Sequence, residues 1–273
     1  MNKGLQAGLI ALTLALYATN WLHAQSTWTG ASGGTWGTAG NWSPATVPNA
    51  VDAVVNINTA LSVDVQNTGS GGTFPYTFGT LSIPSGAVVM GDPNNSGEQL
   101  KAQVSTGVPT FAISSGATLW FYFILNGTQG FNKTGAGELT FRYNYETQPY
   151  TGSIIISGGD ICLTQDSNLG NTSNGITFSN NARLYLNPYT PTAISLASSR
   201  TLTLACSAAN LDVATGNTFT IPGVIGESSA GQGLQKNGSG PLVLSGTNTY
   251  TGATKISGGT LSVGATNNLG APA

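Results

Sequence analysis

The segment Tyr150–Gly170 returns one hundred positions later as Tyr250–Gly270 without a gap, and 10 of the 21 aligned positions are identical. The shared residues are Tyr150/Tyr250, Thr151/Thr251, Gly152/Gly252, Ile156/Ile256, Ser157/Ser257, Gly158/Gly258, Gly159/Gly259, Asn168/Asn268, Leu169/Leu269 and Gly170/Gly270. None is an acid, a base or a metal ligand. A block of glycine, small polar and β-branched residues dictates how a chain turns and stacks, so the echo constrains architecture before chemistry. Each copy has a lead-in, Lys133–Leu139 against Lys236–Leu242, at an offset of 103 because the first copy carries three extra residues between its two blocks. Extra residues inside a paired strand would turn every later side chain to the opposite face, so the insertion marks a loop.

The chain opens with Lys3, an apolar run over Ala7–Ala18 and the small-residue stretch Leu22-His23-Ala24, the layout of a cleavable secretory leader over residues 1–24. The apolar run falls short of the roughly 20 residues of a membrane span, so no transmembrane segment is expected in the mature chain. With the leader go Lys3 and His23, the single histidine, leaving seven cations against ten acids. A chain without histidine has no Ser-His-Asp triad, Cys-His pair or His-ligated metal, and no cofactor is expected. Its cations are scattered rather than clustered, which argues against nucleic acid as a partner.

The 38 glycines would suggest disorder if they lacked pattern, but only 7% of residues are charged and 40% are hydrophobic. An alternating strand, a small-residue turn and a second alternating strand recur at Leu81–Val89, Phe111–Leu119 and Ile176–Leu184, and both full copies fit the same theme. Helix formers in amphipathic register are missing after the leader. The expected class is all-β. Hairpin sandwiches compete with a parallel β-helix, and the irregular repeats favour the latter, with roughly ten to twelve coils of ~20–25 residues. Trp28, Trp36 and Trp42, followed by Pro44, Pro48 and Asp52, mark residues 25–60 as an N-terminal cap sealing the open end of the core, ahead of a solenoid over 61–273. The rival reading of these tryptophans is a sugar-stacking platform.

Gly238–Val263 reads GSGPLVLSGTNTYTGATKISGGTLSV and closely resembles the autotransporter-associated β-strand repeat family, with Gly-x-Gly-x-Leu, Asn-Thr-Tyr-Thr-Gly, Gly-Gly-Thr-Leu and a trailing Leu269-Gly270. Repeats are assigned at 132–170 and 235–270. The first copy departs at Tyr143–Pro149 and at Asp160, where threonine is expected. The resemblance implies a right-handed parallel β-helix displayed outside a Gram-negative-type cell, often as an adhesin or scaffold exported through a C-terminal barrel. The alternating strands of such a barrel are not found up to Ala273, so a short secreted form or a longer parent chain is expected.

Several residues are candidates for chemistry. Asp92, Asn94 and Ser96 resemble the start of a calcium loop, but Gln103 stands where a bidentate glutamate belongs. Asp160 and Asp166 replace Thr260 and Thr266 of the second copy; they read first as solvated turn aspartates, and the alternative is the pair of carboxylates that a glycosidase requires. Cys162 and Cys206 are open to two readings, a disulfide or two small buried hydrophobes. Asn-x-Ser/Thr triplets at Asn41, Asn126, Asn132, Asn171 and Asn237 are turn sequences first. Alternation puts Phe121, Phe123 and Leu125 together inside a coil. The expected function is a secreted or cell-surface structural or adhesive solenoid without catalysis of its own, whose partner is an extracellular surface, matrix or glycan. The alternative is a carbohydrate-binding or carbohydrate-active β-helix.

Overall fold

The computed structural model describes residues 25–65, 75–91, 98–142, 148–180, 182–186 and 193–271. The leader and the calcium candidates Asp92, Asn94 and Ser96 lie outside the described residues. Strands of two to four residues follow the alternation of the sequence: in Thr80–Ile83 and Thr110–Ile113 the second and fourth residues are buried, and the first and third face outward. One such strand cannot shelter its own apolar side. It pairs in parallel with its counterpart one coil away, so that Phe111 stands between Leu81 and Lys133, and Leu119 between Val88 and Leu139. The product is a parallel β-solenoid with two ten-stranded sheets along its length and a third face built from one three-stranded and one four-stranded sheet.

The first long sheet runs from Gln25–Trp28 to Ile225–Glu227, the second from Gly34–Thr35 to Thr254–Ile256. Nine strands of the first sheet stack in parallel, which makes about eight turns, fewer than the ten to twelve expected. Coil length accounts for the difference. Thr110 pairs with Asn132, 22 residues on, but also with Thr80, 30 residues back, because early coils carry longer corner loops.

Inward side chains form one continuous core. Phe78, Phe111, Phe131 and Tyr150 make an aromatic file with successive ring centroids 5.7, 5.1 and 5.6 Å apart, distances at which edge-on and tilted pairs attract. Phe121, Phe123 and Leu125 are buried as the alternation requires, with the first two rings stacked at 3.8 Å. At the N-terminal end the three tryptophans are buried against one another. Trp42 meets Trp28 edge-on at 4.9 Å and Trp36 at 4.8 Å, and its indole N–H donates to the Trp36 carbonyl at 2.8 Å. Strand Trp42–Ser43 runs antiparallel to Gln25–Trp28. It thereby covers the edge of the first parallel strand, which would otherwise offer unpaired backbone groups.

The two repeat copies share a local design that their sequence alone does not disclose. In each, the lead-in lysine points into the core. Lys133 donates from Nζ to the carbonyls of Thr134, Gly135 and Gly158 at 3.0, 2.9 and 3.1 Å. Lys236 donates to Asn237, Gly238 and Gly258 at 2.6, 2.8 and 3.2 Å. Each ammonium thus clips one corner to the next coil. Gly135 and Gly238 hold φ at +75° and +72° there, and a Cβ on Gly135 would stand 2.2 Å from the Ile113 carbonyl oxygen, so only glycine fits. Downstream, the strand on one face is replaced by a loop carrying Tyr150 or Tyr250, over which a 3₁₀ turn stacks: the Tyr150 hydroxyl donates to the Asn168 carbonyl, and Asn248 Nδ2 to that of Asn268. The two copies are nonetheless rotated by one face. Copy one alternates between the first and second long sheets, whereas copy two alternates between the second sheet and the third face.

Burial lowers the Lys133 amine to about 8, against attraction from Asp160 and Glu138. The unfolded lysine keeps its proton up to about 10.5. Between those values the unfolded state therefore binds more protons, and stability rises with pH. Urea unfolding at stepped pH is expected to show this rise in the parent protein and not in Lys133→Met. At neutral pH the same variant, which leaves the corner carbonyls without their donor, is expected to lose about 1–3 kcal/mol.

Candidate functional site

The faces of the prism differ in what they show to solvent. Outward positions of three strands of the first long sheet are small or weakly polar, Thr80 and Ser82, Thr110 and Ala112, Thr177 and Ser179, and others carry Val54, Asn132 and Ile155. The second long sheet is different from Trp120 onward. One outward column runs Glu138, Asp160, Arg183, Asn210, Gln235, and a second runs Trp120, Thr140, Cys162, Tyr185, Asp212, Asn237, each residue directly over the next in strand register.

These side chains form a connected network. Arg183 grips Asp160 with two bonds, Nε to Oδ1 at 2.9 Å and Nη2 to Oδ2 at 2.6 Å, and reaches Asp212 Oδ2 with Nη1 at 3.0 Å. Hydrogen bonding to Asp160, and after it to Asp212, holds the guanidinium protonated even more firmly than usual. The same guanidinium lies 4.5 Å from the centroid of Tyr185, and that of Arg142 lies 4.7 Å from Trp120, both within cation–π range. Tyr185 hydrogen-bonds Cys162 and Glu138, and Glu138 also accepts from the Thr140 hydroxyl. Burial, then these neighbours, pushes the Tyr185 hydroxyl well above its ordinary range, and burial pushes the Cys162 thiol up to about 12. Further along, Asn237 donates to Asn210 at 3.0 Å and accepts from Gln235 at 2.9 Å.

The candidates from sequence fall in three places. Asp160 belongs to this face. Asp166 lies beyond the other end of the same strand, in the 3₁₀ turn Asp166–Leu169, and is taken by Arg200. That arginine is fully buried, bonding Asp166 Oδ1 at 2.9 Å and the carbonyls of Leu169 and Asn174 at 3.1 and 2.9 Å. Each of the two aspartates that replace threonines is thus paired with an arginine of a later coil, and they do not face each other as an acid and a base would. Trp28, Trp36 and Trp42 are at most 5% exposed, so their rings are spent on the core end and present no stacking platform. Cys162 and Cys206 are both free and buried, one outward on the second sheet and one just past a strand of the first.

The passenger-associated-transport-repeat family matches residues 131–161 and 234–263, the two lysine-clipped units described above. The chain carries two passenger-associated-transport repeats. It is also similar to the adhesin BmaC autotransporter of Brucella suis biovar 1 (strain 1330), 32% identical over 196 residues that cover 68% of this chain and 5% of that protein. The chain therefore spans a small fraction of the relative it matches. No solved structure matches. This transport-repeat protein is a passenger-like β-solenoid related to an adhesin.

Sequence reasoning missed the arginines and the aromatic column of the second sheet. Trp120 was legible only as part of an apolar cluster, and Arg183 and Arg200 carry no local motif. The internal comparison holds the signal that finds them. Where copy two has Pro241, Val243, Thr260 and Ser262, copy one has Glu138, Thr140, Asp160 and Cys162, all outward positions.

Removing Asp166 leaves a buried guanidinium without its carboxylate. Asp166→Ala is expected to cost about 3–5 kcal/mol in urea unfolding, with Arg200→Met less costly because it removes the charge itself. Ellman titration under non-reducing conditions is expected to find both thiols unreactive in the native protein and both titratable after unfolding; absence of free thiol after unfolding would show that they pair.

Proposed function

We propose that this transport-repeat solenoid is an adhesive module displayed at a bacterial cell surface, with no catalytic activity of its own. The observation that carries the reading is the pairing of its architecture with its carboxylates. A rigid, fully stacked prism offers long flat faces, and the acids best placed by sequence for hydrolysis are each locked by an arginine. A general acid must exchange a proton with substrate, and a carboxylate with both oxygens engaged by a guanidinium is poorly disposed to do so. Kinship with an adhesin supports the same reading. Export across the envelope by the leader at residues 1–24 is part of the proposal, and it fits a fold whose two cysteines are buried away from oxidants.

The test is adhesion of the purified chain. Labelled protein is expected to bind host cells or matrix-coated surfaces saturably, above an unrelated β-rich protein of similar charge, and to release no reducing ends from common polysaccharides. Release of reducing ends, or binding no better than the control on every surface, overturns the proposal.

A further inference from the structure

The two repeat copies provide a comparison within one molecule. They share the lysine clip, the tyrosine loop and inward positions that are apolar in nearly every case, so stacking makes similar demands on both. Their outward residues have nothing to do with closing the core. In copy two those positions hold Val243 and Ser262. In copy one they hold Thr140 and Cys162, joined to Glu138 and Asp160 in a network that later coils extend. These charges pair between coils, but stacking does not require them, because strands of the first sheet stack with Thr80, Ser82, Thr110 and Ala112 outward.

We infer that the outer face of the second sheet, from Trp120 to Asn237, is a recognition surface for an uncharged glycan chain lying along the solenoid axis. This rests on the adhesive reading above and names its partner. Four features of the face argue for it. Trp120 and Asn237 are five parallel rungs apart, ~24 Å at strand spacing, a length that takes several pyranose units in line. The polar groups are planar, carboxylates, a guanidinium and carboxamides, bonded to one another along the face, so sugar hydroxyls would use the remaining lone pairs and N–H groups of a network already fixed in place. Both signs of charge are interleaved, with Arg183 shared between Asp160 and Asp212. A polyanion would meet those carboxylates and a polycation the guanidinium groups of Arg142 and Arg183, whereas a neutral polyhydroxyl chain meets complementary groups without a charge penalty. Finally, Trp120 and Tyr185 supply half-buried rings, each with a guanidinium over one face, so that sugar C–H groups would meet the rest of the ring and the covering guanidinium, and little side-chain freedom is lost on binding because the network already holds these groups in place.

The experiment is calorimetric titration of the full chain with soluble neutral gluco-, manno- and galacto-oligosaccharides, alongside sulfated and carboxylated glycans. Saturable binding of at least one neutral series is expected. Trp120→Ala and Asn237→Ala, both outside the core, are each expected to weaken it about tenfold or more, with unchanged far-UV spectra and unfolding midpoints, while Thr110→Ala with Thr177→Ala on the first sheet leaves it unchanged. Binding of anionic glycans only, binding of none, or equal loss from variants of either sheet overturns the inference. The adhesion assay separates this from the adhesive reading. If cells are bound equally well by Trp120→Ala and after enzymatic deglycosylation, the glycan face is wrong and the adhesive role stands. If no surface is bound, the adhesive role falls, and the titration still decides the glycan face.

Discussion

Each coil of this protein exposes an apolar interior that only the coil stacked on it can cover. Ile156 and Ile256 show how completely the structure depends on that contact. They occupy the same position in the two repeat copies, and Ile156 is 0% exposed between its neighbours whereas Ile256, on the last described coil, is 53% exposed. Apolar burial at about 25 cal/mol per Å² is therefore earned between coils rather than within them. The tryptophan cluster serves the same constraint at the other end. An interior that must be covered is closed there by three indoles and an antiparallel strand.

Stacking of this kind fails first at corners, where the chain turns sharply and backbone carbonyls point inward with no strand partner. The repeats solve this with a buried ammonium. Lys133 and Lys236 each gather three carbonyls from two coils, and the positive-φ glycine beside each lets the backbone approach closely enough. Arg200 does the equivalent at the 3₁₀ turn of copy one, where Asp166 supplies the compensating charge. In a chain so poor in charge, several of its cations are thus internal fasteners. That the same unit is placed on different faces in its two copies follows naturally, because the fastener satisfies a corner, and all corners of the prism pose the same demand.

Much of the architecture is legible in the residues because it is local. Period-two alternation in Leu81–Ile83 or Phe121–Leu125 tells which side chains turn inward, and Ser-Gly or Gly-Gly marks where a strand stops. The expectation of ten to twelve coils failed because turn signals do not reveal how much loop is carried at each corner. The site was less legible than the fold. Asp160 and Asp166 stood out as departures from the repeat, but the sequence does not show that each is paired with an arginine. Their partners lie 23 and 34 residues away, one coil in the first case and more than a coil in the second, and nothing in the local sequence announces them.

By itself the sequence determined that this chain is built of short alternating strands joined by small-residue turns, because both are properties of neighbouring residues, and its hundred-residue echo favoured a parallel stack over hairpins. Only the tertiary structure decided which coil stands over which, and with that, that two lysines and an arginine are buried, that the tryptophans are core, and that Trp120, Asp160, Arg183 and Asn237 share one face. The physical reason is that register between coils is set by packing across whole coils of 20 to 30 residues whose loops vary in length, a distance over which side-chain period carries no information.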